Sequence, residues 1–161
     1  MFSVRNAVLS LAAISSISGT VFAEHLRVVW SASHSNSIGP PSGDSSHSSS
    51  FAVFNDAEEA LYSADNPDDH SPCYNTGDGR TFSLTSGCWN QDYQFKCKSS
   101  FGGNPKKCEI LDADGNSLAE GDSDVSESFR VISIDQEGSC VAEFDTGDDE
   151  GCSTDDEFSV A

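Results

Sequence analysis

The sequence predicts a mainly β protein: an antiparallel β-sandwich or barrel with one short helix, stabilised by disulfides. Three observations carry that expectation. Apolar residues recur with period two in short runs, residues that favour turns separate the runs, and the 161-residue chain holds an even set of six cysteines. A chain of this length suits one compact domain.

The runs follow in order. Leu26, Val28 and Trp30 alternate with Arg27 and Val29 as a first strand with one better-buried face. Residues 31–50 then hold ten serines with Gly39, Pro40, Pro41 and Gly43, and little beyond Ile38 to bury, so a mobile Ser-rich loop is expected. Phe51-Ala52-Val53-Phe54 resumes the core. Asp56 as a cap, Glu59 at the reciprocal position, and Ala57, Ala60 and Leu61 suggest the short helix, ended by Asp65-Asn66-Pro67.

Alternation then dominates. Phe82 and Leu84, then Tyr93, Phe95 and Cys97, then Cys108 and Ile110, mark successive strands. Leu118, then Phe129, Val131, Ile132 and Ile134, and last Cys140, Ala142 and Phe144 extend the series. Turns are expected at 102–105, 112–116 and 135–138, each rich in Gly, Asn or Asp. An acidic tail from Asp145 is expected to be a loose end closed by Cys152.

Residues 1–23 read as a secretory signal peptide. Arg5 gives the positive start, 7–17 is mostly apolar, and Val21 and Ala23 stand at the small-residue cleavage positions. The apolar stretch falls short of the roughly 20 residues of a permanent span. Its removal leaves a single β-rich domain over 24–161 with charge 7 − 27 = −20, against −19 for the whole chain. Such a surface repels phosphate and acidic lipid, which argues against nucleic acid and stable membrane insertion as partners. An extracellular monomer is expected, with disulfides the default state of its cysteines.

Six cysteines permit fifteen pairings. A hairpin centred on Gly102 and Gly103 places Cys97 opposite Cys108, within disulfide reach, so Cys97–Cys108 is the expected bond. Cys73–Cys88 and Cys140–Cys152 are the simplest remainder.

Catalytic and metal signatures are weak. His25 stands second after the expected cleavage, behind Glu24, which departs from the leading histidine of copper-brace enzymes. His34, His47 and His70 form no H-x-x-x-H or H-E-x-x-H spacing. No G-x-S-x-G elbow is present, and Asp112-Ala113-Asp114-Gly115-Asn116 departs from a calcium loop at its sixth and twelfth positions, Ser117 and Ser123. The acids at 148–150 and 155–157 read as solvated charge. No cofactor and no metal are expected, and catalysis is not favoured.

One local feature opposes the overall charge. Lys96, Lys98, Lys106 and Lys107 lie on the Cys97–Cys108 hairpin with Phe101 near its tip. Lys96 faces Glu109 and Lys98 faces Lys107 in that register. This is a candidate contact surface for a protein or carbohydrate, against the plainer role of lysines guarding an edge strand.

The signal peptide, short mature chain, even cysteine set and period-two strands together resemble the small secreted, effector-like proteins of filamentous fungi. The resemblance rests on layout across the chain and transfers no functional residue. It implies a non-catalytic binding protein acting outside the producing cell on a component of a host or competitor. The alternatives are a small secreted hydrolase, a nuclease or polysaccharide-active protein, and a toxin-like protein acting on membranes or cell walls.

Overall fold

The computed structural model describes residues 23–37, 44–73, 80–100, 104–130, 133–147 and 151–161. The expected signal peptide up to residue 22, Ile38 to Gly43, Phe101 with the two hairpin glycines, Val131, Ile132 and the acids at 148–150 lie outside them.

Among the described residues, nine strands form one antiparallel sheet. They are β1 (His25–Ser37), β2 (Ser45–Phe54), β3 (Ala60–Ala64), β4 (Arg80–Ser86), β5 (Tyr93–Ser99), β6 (Pro105–Leu111), β7 (Ser117–Phe129), β8 (Ser133–Asp145) and β9 (Phe158–Val160). Their order is β3-β2-β1-β8-β7-β6-β5-β4-β9. The two edge strands approach each other, and Tyr62 meets Phe158 across the seam with ring centroids 5.9 Å apart. The sheet is thus nearly closed into a barrel, its last gap filled by aromatic packing.

Alternation places the core as the sequence indicates. Leu26, Val28 and Trp30 of β1 point inward with Phe51, Phe82, Leu84, Tyr93, Phe95, Ile110 and Phe144, all buried. Edge-on ring contacts run through this interior: Phe51 to Phe95 at 5.2 Å, Tyr93 to Phe144 at 4.9 Å, and Trp89 to Tyr93 at 5.0 Å.

Three disulfides cross the interior: Cys73–Cys97, Cys88–Cys152 and Cys108–Cys140, with Cα separations of 5.1, 5.6 and 6.2 Å. The expected pairing is therefore wrong in all three bonds, although the hairpin register behind it is right. Cys97 does lie opposite Cys108, Lys96 opposite Glu109 and Lys98 opposite Lys107. Both sulfurs project into the barrel, where each meets a chain other than its strand neighbour. Cys97 bonds the segment at 65–73, which is also tied by Ser49, whose hydroxyl lies 2.7 Å from both the Asp65 carbonyl and Asn66 Oδ1. Cys108 bonds Cys140 across β7.

That second bond depends on Gly121. It faces Cys108 in the β6–β7 register, where β7 turns from pairing with β6 to pairing with β8. A Cβ there would sit 2.5 Å from Cys108 Sγ and 2.6 Å from the Val141 carbonyl oxygen. The missing side chain is the gap through which the disulfide passes and the point where the sheet folds over on itself.

Four further expectations change. The helix proposed on Asp56 is absent, and Ala60–Ala64 is strand β3. Asn55 Oδ1 accepts the N–H groups of Ala57 and Glu59 at 3.0 and 2.9 Å, and Glu58 takes φ +61°, so a side chain-closed turn replaces the first helical turn. Pairing of Val53 with Tyr62 then draws the following residues into the sheet. The helical element among the described residues is a 3-10 turn at Pro67–Asp69.

Most of the Ser-rich segment is strand rather than loop, as β1 runs to Ser37 and β2 begins at Ser45. Residues 135–138 lie inside β8, and the reversal comes at Arg130 and Ser133, which exchange backbone hydrogen bonds of 2.8 and 3.4 Å. The acidic tail is tied in: Cys152 is buried and Phe158–Val160 pairs with β4.

Glu24 closes one end of the barrel. It is 6% exposed; its N–H donates to Thr146 Oγ1 at 3.1 Å, and its carboxylate accepts the Cys152 N–H at 2.9 Å. Burial raises its pKa, against the pull of the Cys152 N–H and the nearby Trp89 indole. That indole nitrogen lacks a partner at full hydrogen-bond geometry. The His25 pKa is raised by its hydrogen bond to Asp145.

Both shifts act with one sign. A raised carboxyl favours the fold at low pH and loses that contribution as pH climbs above the ordinary 4.5. A raised imidazole contributes fully below 6.5 and fades as pH rises through its folded value. Thermal melting is therefore expected to be higher near pH 5 than near pH 8. Glu24→Gln should flatten the acid part of that curve, and an unchanged slope would show that Glu24 does not drive it.

Candidate functional site

β2, β1, β8 and β7 extend together past the apolar core, and their outer faces carry a grid of polar side chains. Register fixes the grid. Ser50, Ser31, Ser139 and Asp124 form one rung; Ser48, Ser33, Glu137 and Ser126 the next; Ser46, Ser35, Asp135 and Ser128 the third. Nearest side chains stand about 4.8 Å apart across strands and about 6.8 Å apart along them.

All eight residues of the first two rungs line one open cleft of about 450 Å³. Serine is a poor strand former, so the order here comes from the backbone ladder. That ladder continues outward from Trp30, paired with Phe51 on one side and Cys140 on the other. Gly138 lets the sheet pack closely against β6, since a Cβ there would lie 2.6 Å from Pro105 Cδ.

Some of the hydroxyls are pre-aligned. Ser33 Oγ lies 2.9 Å from Ser48 Oγ, and Ser35 donates to Asp135 at 2.5 Å. The cleft therefore presents hydroxyls that both donate and accept, with the acceptor carboxylates Asp124 and Glu137 on its far strands. Its acids and the chain's net charge of −19 oppose anionic ligands.

The sequence-derived lysine surface is spread out and partly neutralised. Lys96 Nζ lies 3.9 Å from Glu109, and Lys107 Nζ lies 2.5 Å from Glu120 and 3.9 Å from Glu109. The Glu120 hydrogen bond raises the Lys107 pKa. Glu120 thus gives Lys107 an opposite charge beside the like charge of Lys98 in that register. Lys98 and Lys106 are exposed.

Among the described residues, histidine–carboxylate pairs occur at two places. His25 Nδ1 lies 3.0 Å from Asp145 Oδ1 and its Nε2 3.7 Å from Glu143 Oε2, and His70 Nδ1 lies 3.8 Å from Asp68 Oδ2. Neither pair lines the serine cleft. Among the described residues no cluster of three or more metal-ligating side chains occurs, and no helix is long and apolar enough to cross a membrane.

The grid escapes a reading that treats serine as a marker of loops. Its signal is present nonetheless: serines recur at 31, 33 and 35 and again at 46, 48 and 50, the same period two that marks the apolar strands. No protein-family model matches this chain, no curated protein matches its sequence, and no solved structure matches it.

Proposed function

We propose that the protein is an extracellular, effector-like binding protein without catalytic activity, and that its ligand is a neutral or amino-bearing glycan of a host or competitor cell wall. The observation that supports this most is the serine grid with its two cleft carboxylates. A polyhydroxylated chain satisfies such a surface, since each sugar hydroxyl both donates and accepts, and carboxylates accept pairs of vicinal hydroxyls. The negative field favours amino sugars and rejects uronic acids. The disulfides and the expected signal peptide support action outside the cell.

Calorimetric titration with chitohexaose, laminarihexaose and polygalacturonate tests this reading. Binding is expected for at least one of the first two and none for the third. The triple substitution Ser33→Ala, Asp124→Asn, Glu137→Gln should weaken it at least tenfold, whereas Lys98→Glu with Lys107→Glu should leave it intact. Equal binding by the cleft variant, or loss through the lysine variant alone, would overturn the assignment to the cleft.

A further inference from the structure

The opposite face of the same strands carries a second arrangement. His34 of β1 and His47 of β2 are direct cross-strand partners, with ring centroids 6.1 Å apart and planes inclined at 54°. They lie 13 residues apart in sequence, a spacing that matches no helical metal motif; the hairpin register alone brings them together.

The distance has chemical meaning. A coordinated imidazole nitrogen sits about 2.0–2.1 Å from zinc, which puts the ion about 3.2 Å from each ring centroid. Two histidines on one ion then have centroids between about 5.2 Å for a tetrahedral angle and about 6.4 Å for a linear one. The observed separation falls inside that range.

A second observation comes from His34 itself. Its Nδ1 is buried and has no hydrogen-bond partner. A buried nitrogen left unsatisfied costs free energy, and coordination to an ion or a solvent molecule carried by that ion removes the cost. The next residue in this row, Gln136, donates one amide N–H to Glu127 at 2.8 Å.

We infer that His34 and His47 form a two-histidine site for a borderline transition-metal cation, Cu²⁺ or Zn²⁺, on the face of the sheet opposite the serine cleft. Solvent completes the coordination. Imidazole selects these ions over Ca²⁺ and Mg²⁺, and Cu²⁺ binds more tightly than Zn²⁺. The site is independent of the glycan reading, because it uses other side chains on another face.

The test titrates the oxidised, metal-free protein with Cu²⁺ and with Zn²⁺ by calorimetry, with Ca²⁺ as the reference ion. One ion per chain is expected at the pair, with a matching rise in melting temperature. His34→Ser and His47→Ser copy the residue type around them and should keep the far-ultraviolet spectrum of the wild type. Each should weaken Zn²⁺ binding at least tenfold and abolish the thermal shift, and His25→Ser should change neither. Loss of binding only in His25→Ser, equal affinity in all three variants, or absence of any saturable binding would each overturn the inference.

Discussion

Gly121→Val should destabilise the oxidised protein by about 3 kcal/mol or more, lowering its melting temperature by roughly 10 °C. The cause is local. The first atom of any side chain at this position overlaps Cys108 Sγ at 2.5 Å, the Val141 carbonyl oxygen at 2.6 Å and Ala142 Cβ at 3.0 Å. A flexible side-chain end could swing aside, but here the neighbours are a backbone oxygen and a cross-linked sulfur. Relief requires β7 to move off β8 or the Cys108–Cys140 bond to shift. Gly87→Ala, where a Cβ meets nothing within 4 Å, should change stability by less than about 0.5 kcal/mol. A Gly121→Val variant within 1 kcal/mol of the wild type by thermal and denaturant unfolding would show that the sheet does not turn through this residue as described.

Removal of the disulfides should have the other large effect, graded by loop length. The separations are 64 residues for Cys88–Cys152, 32 for Cys108–Cys140 and 24 for Cys73–Cys97. On the chain-entropy model, replacing each pair by serines costs about 4.3, 3.7 and 3.4 kcal/mol in that order. Losses of this size consume much of an ordinary domain's net stability of about 5–15 kcal/mol, so the fully reduced chain should not hold its fold. Reductant should reach Cys88–Cys152 first, since Cys88 is partly exposed while the other two bonds are fully buried. Peptide mapping without reduction checks the pattern. A fragment joining Cys97 to Cys108 would contradict the fold.

Much of this architecture is legible in the sequence, and its limits have physical causes. Period-two burial identifies the apolar parts of β1, β2, β4, β5, β6 and β8, and the glycine pair after Phe101 yields the correct β5–β6 register, whereas Leu118 of β7 is exposed. The disulfides escape because opposed cysteines in a barrel point into a shared interior, where partners from distant segments compete. Gly121 holds the clue to Cys108–Cys140, yet a lone glycine says only that a side chain is unwelcome. The helix at Asp56 fails because Asn55, one residue earlier, closes a turn on its own side chain. Local propensity there yields to pairing with β2.

The cleft was hidden by composition. Ten serines in twenty residues suggest disorder when counted, but their alternation suggests a strand when read in order. What orders the serines of β1 is the ladder to β8, thirteen register pairs from His25 to Ser37, most of whose partner residues lie more than 100 positions away, and β1 in turn pairs with the serines of β2. No local window contains that information. The histidine pair rests instead on the β1–β2 register, which is not seen when this segment is read as a loop.

The most direct measurement is backbone chemical-shift mapping by NMR of the isotope-labelled, oxidised protein during titration with the glycan that binds best. The account predicts perturbations concentrated at Ser31, Ser33, Ser48, Ser50, Asp124, Ser126, Glu137 and Ser139, the eight outer-face residues of the cleft, with the β4–β5 amides unmoved. Shifts clustered on Lys98 and Lys106, or no saturable shifts with any neutral or amino-bearing oligosaccharide, would contradict it.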